Sequence, residues 1–156
     1  MKISSFAIVL LGLMLSPFSL IQAQTVKADD IVGVWLTQDK DSHVEISKQG
    51  DKYFGKIIWL SEPIDSVTGK PKVDDKNPNV KLQSRPVMGL ELLKNFSYFP
   101  GDQEWEKGQI YDPKKGSTYS CYMEFPDASN KNKLKIRGYI GFSLLGRTVY
   151  WTRVTQ

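Results

Sequence analysis

Eight short stretches in which apolar and polar residues alternate, separated mostly by turn-forming residues, constrain this chain most. A period of two matches a β-strand, whose successive side chains point to opposite faces, and not the 3.6-residue period of a helix. The stretches cover residues 32–37, 43–48, 53–60, 89–94, 105–111, 118–125, 133–140 and 147–154. Between them stand Lys48-Gln49-Gly50-Asp51, Phe99-Pro100-Gly101-Asp102, Asp112-Pro113-Lys114-Lys115-Gly116 and the segment from Pro126 to Asn132, all rich in turn-forming residues. Apart from Pro17, which precedes them, every proline falls between the strands, as a residue without a backbone N–H must. No helix of useful length is visible. Ala28-Asp29-Asp30-Ile31 can form one short turn ahead of the first strand.

Strands of this number and spacing, joined mainly by hairpin-length connections, predict an all-β fold, an antiparallel up-and-down β-barrel of about eight strands. Closure removes the exposed sheet edges that invite aggregation. A barrel of this size encloses an interior that side chains can fill or that can hold one small ligand. One connection breaks the pattern. Residues 61–88 lack clear periodicity and hold Pro63, Pro71, Pro78 and Pro86. A loop this long inside a compact domain is functional, disordered, or a sign of a missed element. Its scattered Ile64, Val67, Val73, Val80, Leu82 and Val87 suit a lid packed on the body better than a solvated linker.

The N-terminus reads as a leader. Lys2 precedes a mostly apolar run from Ile3 to Leu15, Pro17 and Ser19 break it, and Ile21-Gln22-Ala23 ends on a small residue, the pattern of a secretory signal peptide. The run is too short for the ~20 residues that cross a bilayer. Residues 1–23 are therefore expected to be a signal peptide, and residues 24–156 a single barrel domain with no later transmembrane segment. Cleavage lowers the net charge from +4 to +3, because Lys2 is the one charged residue lost. The basic clusters Lys114-Lys115 and Lys131, Lys133, Lys135 are short, and acids interleave elsewhere. Nucleic acid is not an expected partner, since no helix presents a basic face and export removes the substrate.

The chain has one cysteine and one histidine. Cys121 cannot form an internal disulfide. It alternates with Tyr119, Met123 and Phe125, which places it on an apolar, buried face. His43 alternates with Glu45 and Ser47, which places it on a polar, outer face. With no Gly-x-Ser-x-Gly elbow and no clustered ligand spacing, no catalytic residue, metal site or cofactor is assigned.

The two ends of the barrel carry a further signal. Gly33-Val34-Trp35 opens the first strand and Arg153 nearly closes the last. This resembles the calycin superfamily, the lipocalins and fatty-acid-binding proteins, in which a Gly-x-Trp meets a basic residue from the last strand at the closed end. Gly33, Trp35 and Arg153 form a candidate structural clamp: a guanidinium can lie over the indole face and hold backbone carbonyls.

Three more stretches carry a closer resemblance. They are Asp74-Asp75-Lys76-Asn77-Pro78 with Arg85-Pro86-Val87-Met88-Gly89-Leu90, then Gly108-Gln109-Ile110-Tyr111-Asp112-Pro113 with Gly116 and Tyr119, and Arg137-Gly138-Tyr139-Ile140-Gly141 through Leu144-Leu145-Gly146-Arg147 to Trp151-Thr152-Arg153. The chain resembles the secreted bacterial family catalogued as domain of unknown function 2147, from about Ile31 to Val154. The resemblance implies an exported domain, periplasmic or otherwise secreted, and no assigned activity.

Candidate ligand or lid residues are Asp74, Asp75, Asn77 and Arg85 in the long loop, with Tyr139 and Tyr150 as candidate lining aromatics. Arg85 can pair with one of the acids and hold the loop closed. Gly141-Phe142-Ser143-Leu144-Leu145-Gly146 joins the last two strands with three large apolar residues, which either plug one end or form an exposed patch. The leading expectation is a non-enzymatic binding module of the cell envelope for a small, largely apolar ligand, gated by the long loop. One alternative is an envelope protein-protein interaction domain with a filled barrel core. The other is an enzyme using Asp74, Asp75 and Arg85.

Overall fold

A computed structural model of the chain describes residues 25–141 and 145–155. The expected signal peptide and most of the apolar segment 142–145 lie outside the described residues.

The strands are β1 (Gly33–Leu36), β2 (Ser42–Gln49), β3 (Lys52–Leu60), β4 (Glu91–Phe99), β5 (Glu104–Asp112), β6 (Ser117–Glu124), β7 (Lys133–Tyr139) and β8 (Gly146–Arg153). Each pairs antiparallel with the next, and β8 returns to β1 through Trp35 opposite Arg153 and Leu36 opposite Thr152. The barrel is closed and up-and-down throughout. No helix among the described residues is long and apolar enough to cross a membrane.

Alternation decides which side chains turn inward. Val44 and Ile46 on β2, Tyr53 and Ile57 on β3, Cys121 and Met123 on β6, Leu134 and Ile136 on β7 are all buried. Their neighbours His43, Glu45, Lys56, Tyr122 and Lys135 face out. Burial pushes the Cys121 thiol well above its ordinary range, so it stays protonated as a small apolar filler.

β4 differs from the sequence expectation. It ends at Phe99 rather than at Lys94, and it starts two residues late, after Gly89 in a left-handed conformation (φ 83°). Asn95 also has positive φ (61°), a conformation that asparagine tolerates better than most residues. The register of β3 on β4 shifts here, from Gly55 opposite Leu93 to Tyr53 opposite Phe96. That irregularity interrupts the alternation and lets both Leu93 and Phe96 point inward, fully buried.

One end is sealed by the chain before β1. A 3-10 turn at Ala28–Ile31 lies across it, with Ile31 fully buried. Two buried indoles hold that segment: Trp35 Nε1 donates to the Ile31 carbonyl at 2.9 Å and Trp105 Nε1 to the Ala28 carbonyl at 3.0 Å. Tyr98 donates to the Val26 carbonyl at 2.5 Å, and Tyr53 to Asp29 at 2.6 Å. Burial, and then that bond to a carboxylate, push the Tyr53 hydroxyl up to about 12. Phe125 packs against both indoles, edge-on to Trp105 with centroids 5.5 Å apart.

Arg153 locks the same end. Its guanidinium lies 4.2 Å from the Trp35 ring centroid. It donates to the carbonyls of Asp30, Val32 and Lys131 at 2.5, 3.0 and 3.0 Å. Gly33 is held at φ 138°, and a Cβ there would stand 2.7 Å from Arg153 Nη1. Only a residue without a side chain lets the guanidinium pass at that distance.

Candidate functional site

The other end of the barrel is open among the described residues. The 37–41, 61–90 and 113–116 connections and the ends of β7 and β8 surround its mouth, which leads into a cavity of about 1390 Å³. Small-molecule sites usually occupy about 300–1,000 Å³, so the space inside and above the strands is ample. Among the described residues, side chains fill the sealed half of the barrel and not the open half. Ile57, Leu92, Ile110, Ile136, Val149 and Trp151 form the apolar wall.

β8 shows how strand register builds that wall. Val149 stands opposite Ile136 and Trp151 opposite Leu134, so the row 147, 149, 151 faces inward. Tyr150 falls in the other row, opposite Lys135. Its ring is on the outer surface beneath the Lys133 ammonium, 4.5 Å from the centroid, and it is not a lining residue. Tyr139 borders the mouth. Leu145 is exposed there as well.

The long connection is folded on itself. Isolated bridges join Ile64 to Pro71 and Val73 to Pro86, and a 3-10 turn occupies Val80–Leu82. Lys72, Val73, Asp75 and Val87 from this segment edge the cavity. The side chain between two of them points elsewhere. Asp74 is fully buried and lines neither the main cavity nor a smaller one of about 220 Å³ beside it.

Asp74 is the centre of a four-residue network. Arg85 grips Oδ2 through Nε at 2.9 Å and Nη2 at 2.7 Å. Asn77 Nδ2 donates to the same oxygen at 2.7 Å, and the Tyr111 hydroxyl donates to Oδ1 at 2.6 Å. The backbone adds a bond from the Asp74 N–H to the Arg85 carbonyl at 3.0 Å. Burial, and then the bond to Asp74, raise the Tyr111 hydroxyl above its ordinary range. Tyr111 belongs to β5, so the network ties the loop to the barrel wall. The turn after β5 also meets the loop: at Gly116 (φ 66°) a Cβ would lie 1.8 Å from the Lys76 carbonyl oxygen, a contact that no side chain survives.

Asp74, Asn77 and Arg85 are thus brought together, while Asp75 stands apart, exposed and paired with Lys76 at 3.2 Å. The Asp74 carboxylate is surrounded by donors and closed off from the cavity, an arrangement for holding a fold together rather than for moving protons. Tyr111 is the member that sequence reasoning missed. Its place at a strand end beside Asp112 concealed that its side chain turns outward to the loop. His43 lies on the outer face, its ring 4.4 Å from that of Trp59. No group of three or more metal-ligating acids, cysteines or histidines occurs among the described residues.

A closed eight-stranded meander, sealed at one end by the chain before β1 and open at the other over an apolar cavity, defines a lipocalin-like barrel. The chain belongs to the family described as "uncharacterized protein conserved in bacteria" (DUF2147), whose model matches residues 33–153. Among solved structures it is similar to protein HP1028 from the human pathogen Helicobacter pylori, described as belonging to the lipocalin family. The TM-score is 0.65 and the identity 26%, over 80% of this chain and 83% of that one. No curated protein matches the sequence.

Proposed function

We propose that this protein is a binding module that holds a small, largely apolar molecule in the open half of its barrel. The observation that carries the reading is the 1390 Å³ cavity with its wall of Ile57, Leu92, Ile136, Val149 and Trp151. A barrel built only as a scaffold gains stability by filling such a space, and this chain leaves it open beneath a loop that it pins with a buried network. The lipocalin-family description of HP1028 supports the same reading. The N-terminal leader pattern in the sequence supports export, with the bacterial periplasm as the working compartment and a secreted location as the other outcome.

Native mass spectrometry of protein purified from its own cell envelope tests this. The expected spectrum contains a protein species carrying a small molecule that organic solvent extracts. Protein that carries no such mass, and takes none up from an envelope lipid extract, would overturn the proposal.

A further inference from the structure

The charges at the mouth are settled almost pairwise. Lys114 bridges Asp39 and Asp41 at 3.3 and 2.6 Å, Lys72 pairs with Glu62 at 3.2 Å, and Lys76 with Asp75 at 3.2 Å. Asp65 accepts the backbone N–H groups of Val67 and Thr68, and Asp112 that of Lys114. Two lining cations, Lys115 and Arg147, have no carboxylate partner among the described residues. Lys115 sits on the turn between β5 and β6. Arg147 belongs to the inward row of β8, directly above Val149 and Trp151.

Arg147 is exposed to solvent at the cavity mouth. It stands opposite Gly138, and a Cβ at Gly138 would already touch Ile110 Cγ2 at 3.4 Å and Tyr119 Cβ at 3.5 Å. The missing side chain lets Ile110 and Tyr119 pack close to the strand that pairs with Arg147. Tyr119 lines the same cavity, and its hydroxyl forms no hydrogen bond among the described residues. An exposed cation without a carboxylate partner and a phenol without a hydrogen bond among the described residues thus stand at the top of an apolar chamber. A guanidinium at such a place suits a carboxylate or phosphate, which it can grip through two N–H groups.

We infer that the ligand is an anionic amphiphile, its acyl chain lying on Ile136, Val149 and Trp151 and its head held by Arg147 and Tyr119. This rests on the proposed ligand-binding role and adds the chemistry of the head group. A carboxylate head would mark a fatty acid, and a phosphate head a phospholipid-derived monoacyl compound.

The test uses one alkyl chain with four heads: decanoate, decyl phosphate, decanol and decyltrimethylammonium, each titrated calorimetrically below its micelle concentration. One or both anionic compounds should bind about tenfold or more tighter than decanol, the size of a charge-assisted hydrogen bond, and the cation should bind weakest. Which anion binds tighter separates the two sources. Arg147→Met should bring the favoured anion down to decanol while leaving decanol unchanged. Lys133→Met, on the outer face of β7, should alter nothing. Equal binding of anion and alcohol, or an anion preference that survives Arg147→Met, overturns the head-group inference alone. Binding of none of the four overturns the apolar-cavity reading and this inference with it.

Discussion

Removing Arg85 is the sharpest perturbation of the loop. Asp74 is fully buried, and Arg85 is about one-third exposed, 32% of its side chain. Deleting one partner of a fully buried ion pair costs about 3–5 kcal/mol, because the other charge is left unpaired. Here solvent reaches Arg85, and Asn77 and Tyr111 still donate to the carboxylate, so the loss should be near ~2 kcal/mol. Tyr111→Phe should cost a similar ~2 kcal/mol, since the phenol is the one side-chain donor to Oδ1. Arg85 and Tyr111 act on one carboxylate, so the double variant should depart from additivity by about 1 kcal/mol. Urea unfolding measures the global part. Limited proteolysis measures the local part: ~2 kcal/mol of lost closure raises cleavage within residues 61–90 roughly thirtyfold. A stability change below about 0.5 kcal/mol together with unchanged cleavage would refute the claim that this network pins the loop.

Two further predictions concern the sealed end and pH. For Trp35→Phe, Arg153→Lys and the double variant, thermal or urea unfolding should give a coupling of about 0.5–2 kcal/mol, the range of a cation–π contact; strictly additive losses would deny the contact. Glu104 lies opposite Glu124 on the adjoining strand. Burial first, then the hydrogen bond and charge of Glu124, raise its carboxyl from 4.5 to about 7. A carboxyl raised in the folded state stabilises it fully below 4.5, and that contribution is lost as pH rises through about 7. Between pH 5 and pH 8 the native protein should therefore lose melting temperature relative to Glu104→Gln. Parallel curves would contradict this assignment.

The order of the strands was legible because alternation and turn chemistry agree in most of the chain. β2 shows why: Val44 and Ile46 alternate with His43 and Glu45, and burial follows the same phase. Where both faces are apolar, the phase is lost. Val149, Tyr150 and Trp151 run together in β8, and only the pairing with Ile136 and Leu134 shows that 149 and 151 turn inward and Tyr150 outward. The inward place of Arg147 follows from that register and was hidden with it. In β4 the left-handed Asn95 broke the period, so the strand read as ending at Lys94 rather than running on to Phe99. The loop acids stood out as a cluster, yet their separation into a buried Asp74 and an exposed Asp75 depends on Tyr111, which is 37 residues from Asp74. A contact at that distance along the chain leaves no local pattern.

The central claim is that the open half of the barrel is a binding chamber. Its most direct test is saturable uptake of a neutral apolar fluorophore, N-phenyl-1-naphthylamine, by the native protein and by Val149→Trp, which places an indole in the cavity. The account predicts one site in the native protein, quenching of tryptophan emission through Trp151 on the wall, and at least tenfold weaker uptake in a Val149→Trp variant that keeps its fold. Absence of saturable uptake, or equal uptake by the filled variant, would contradict it.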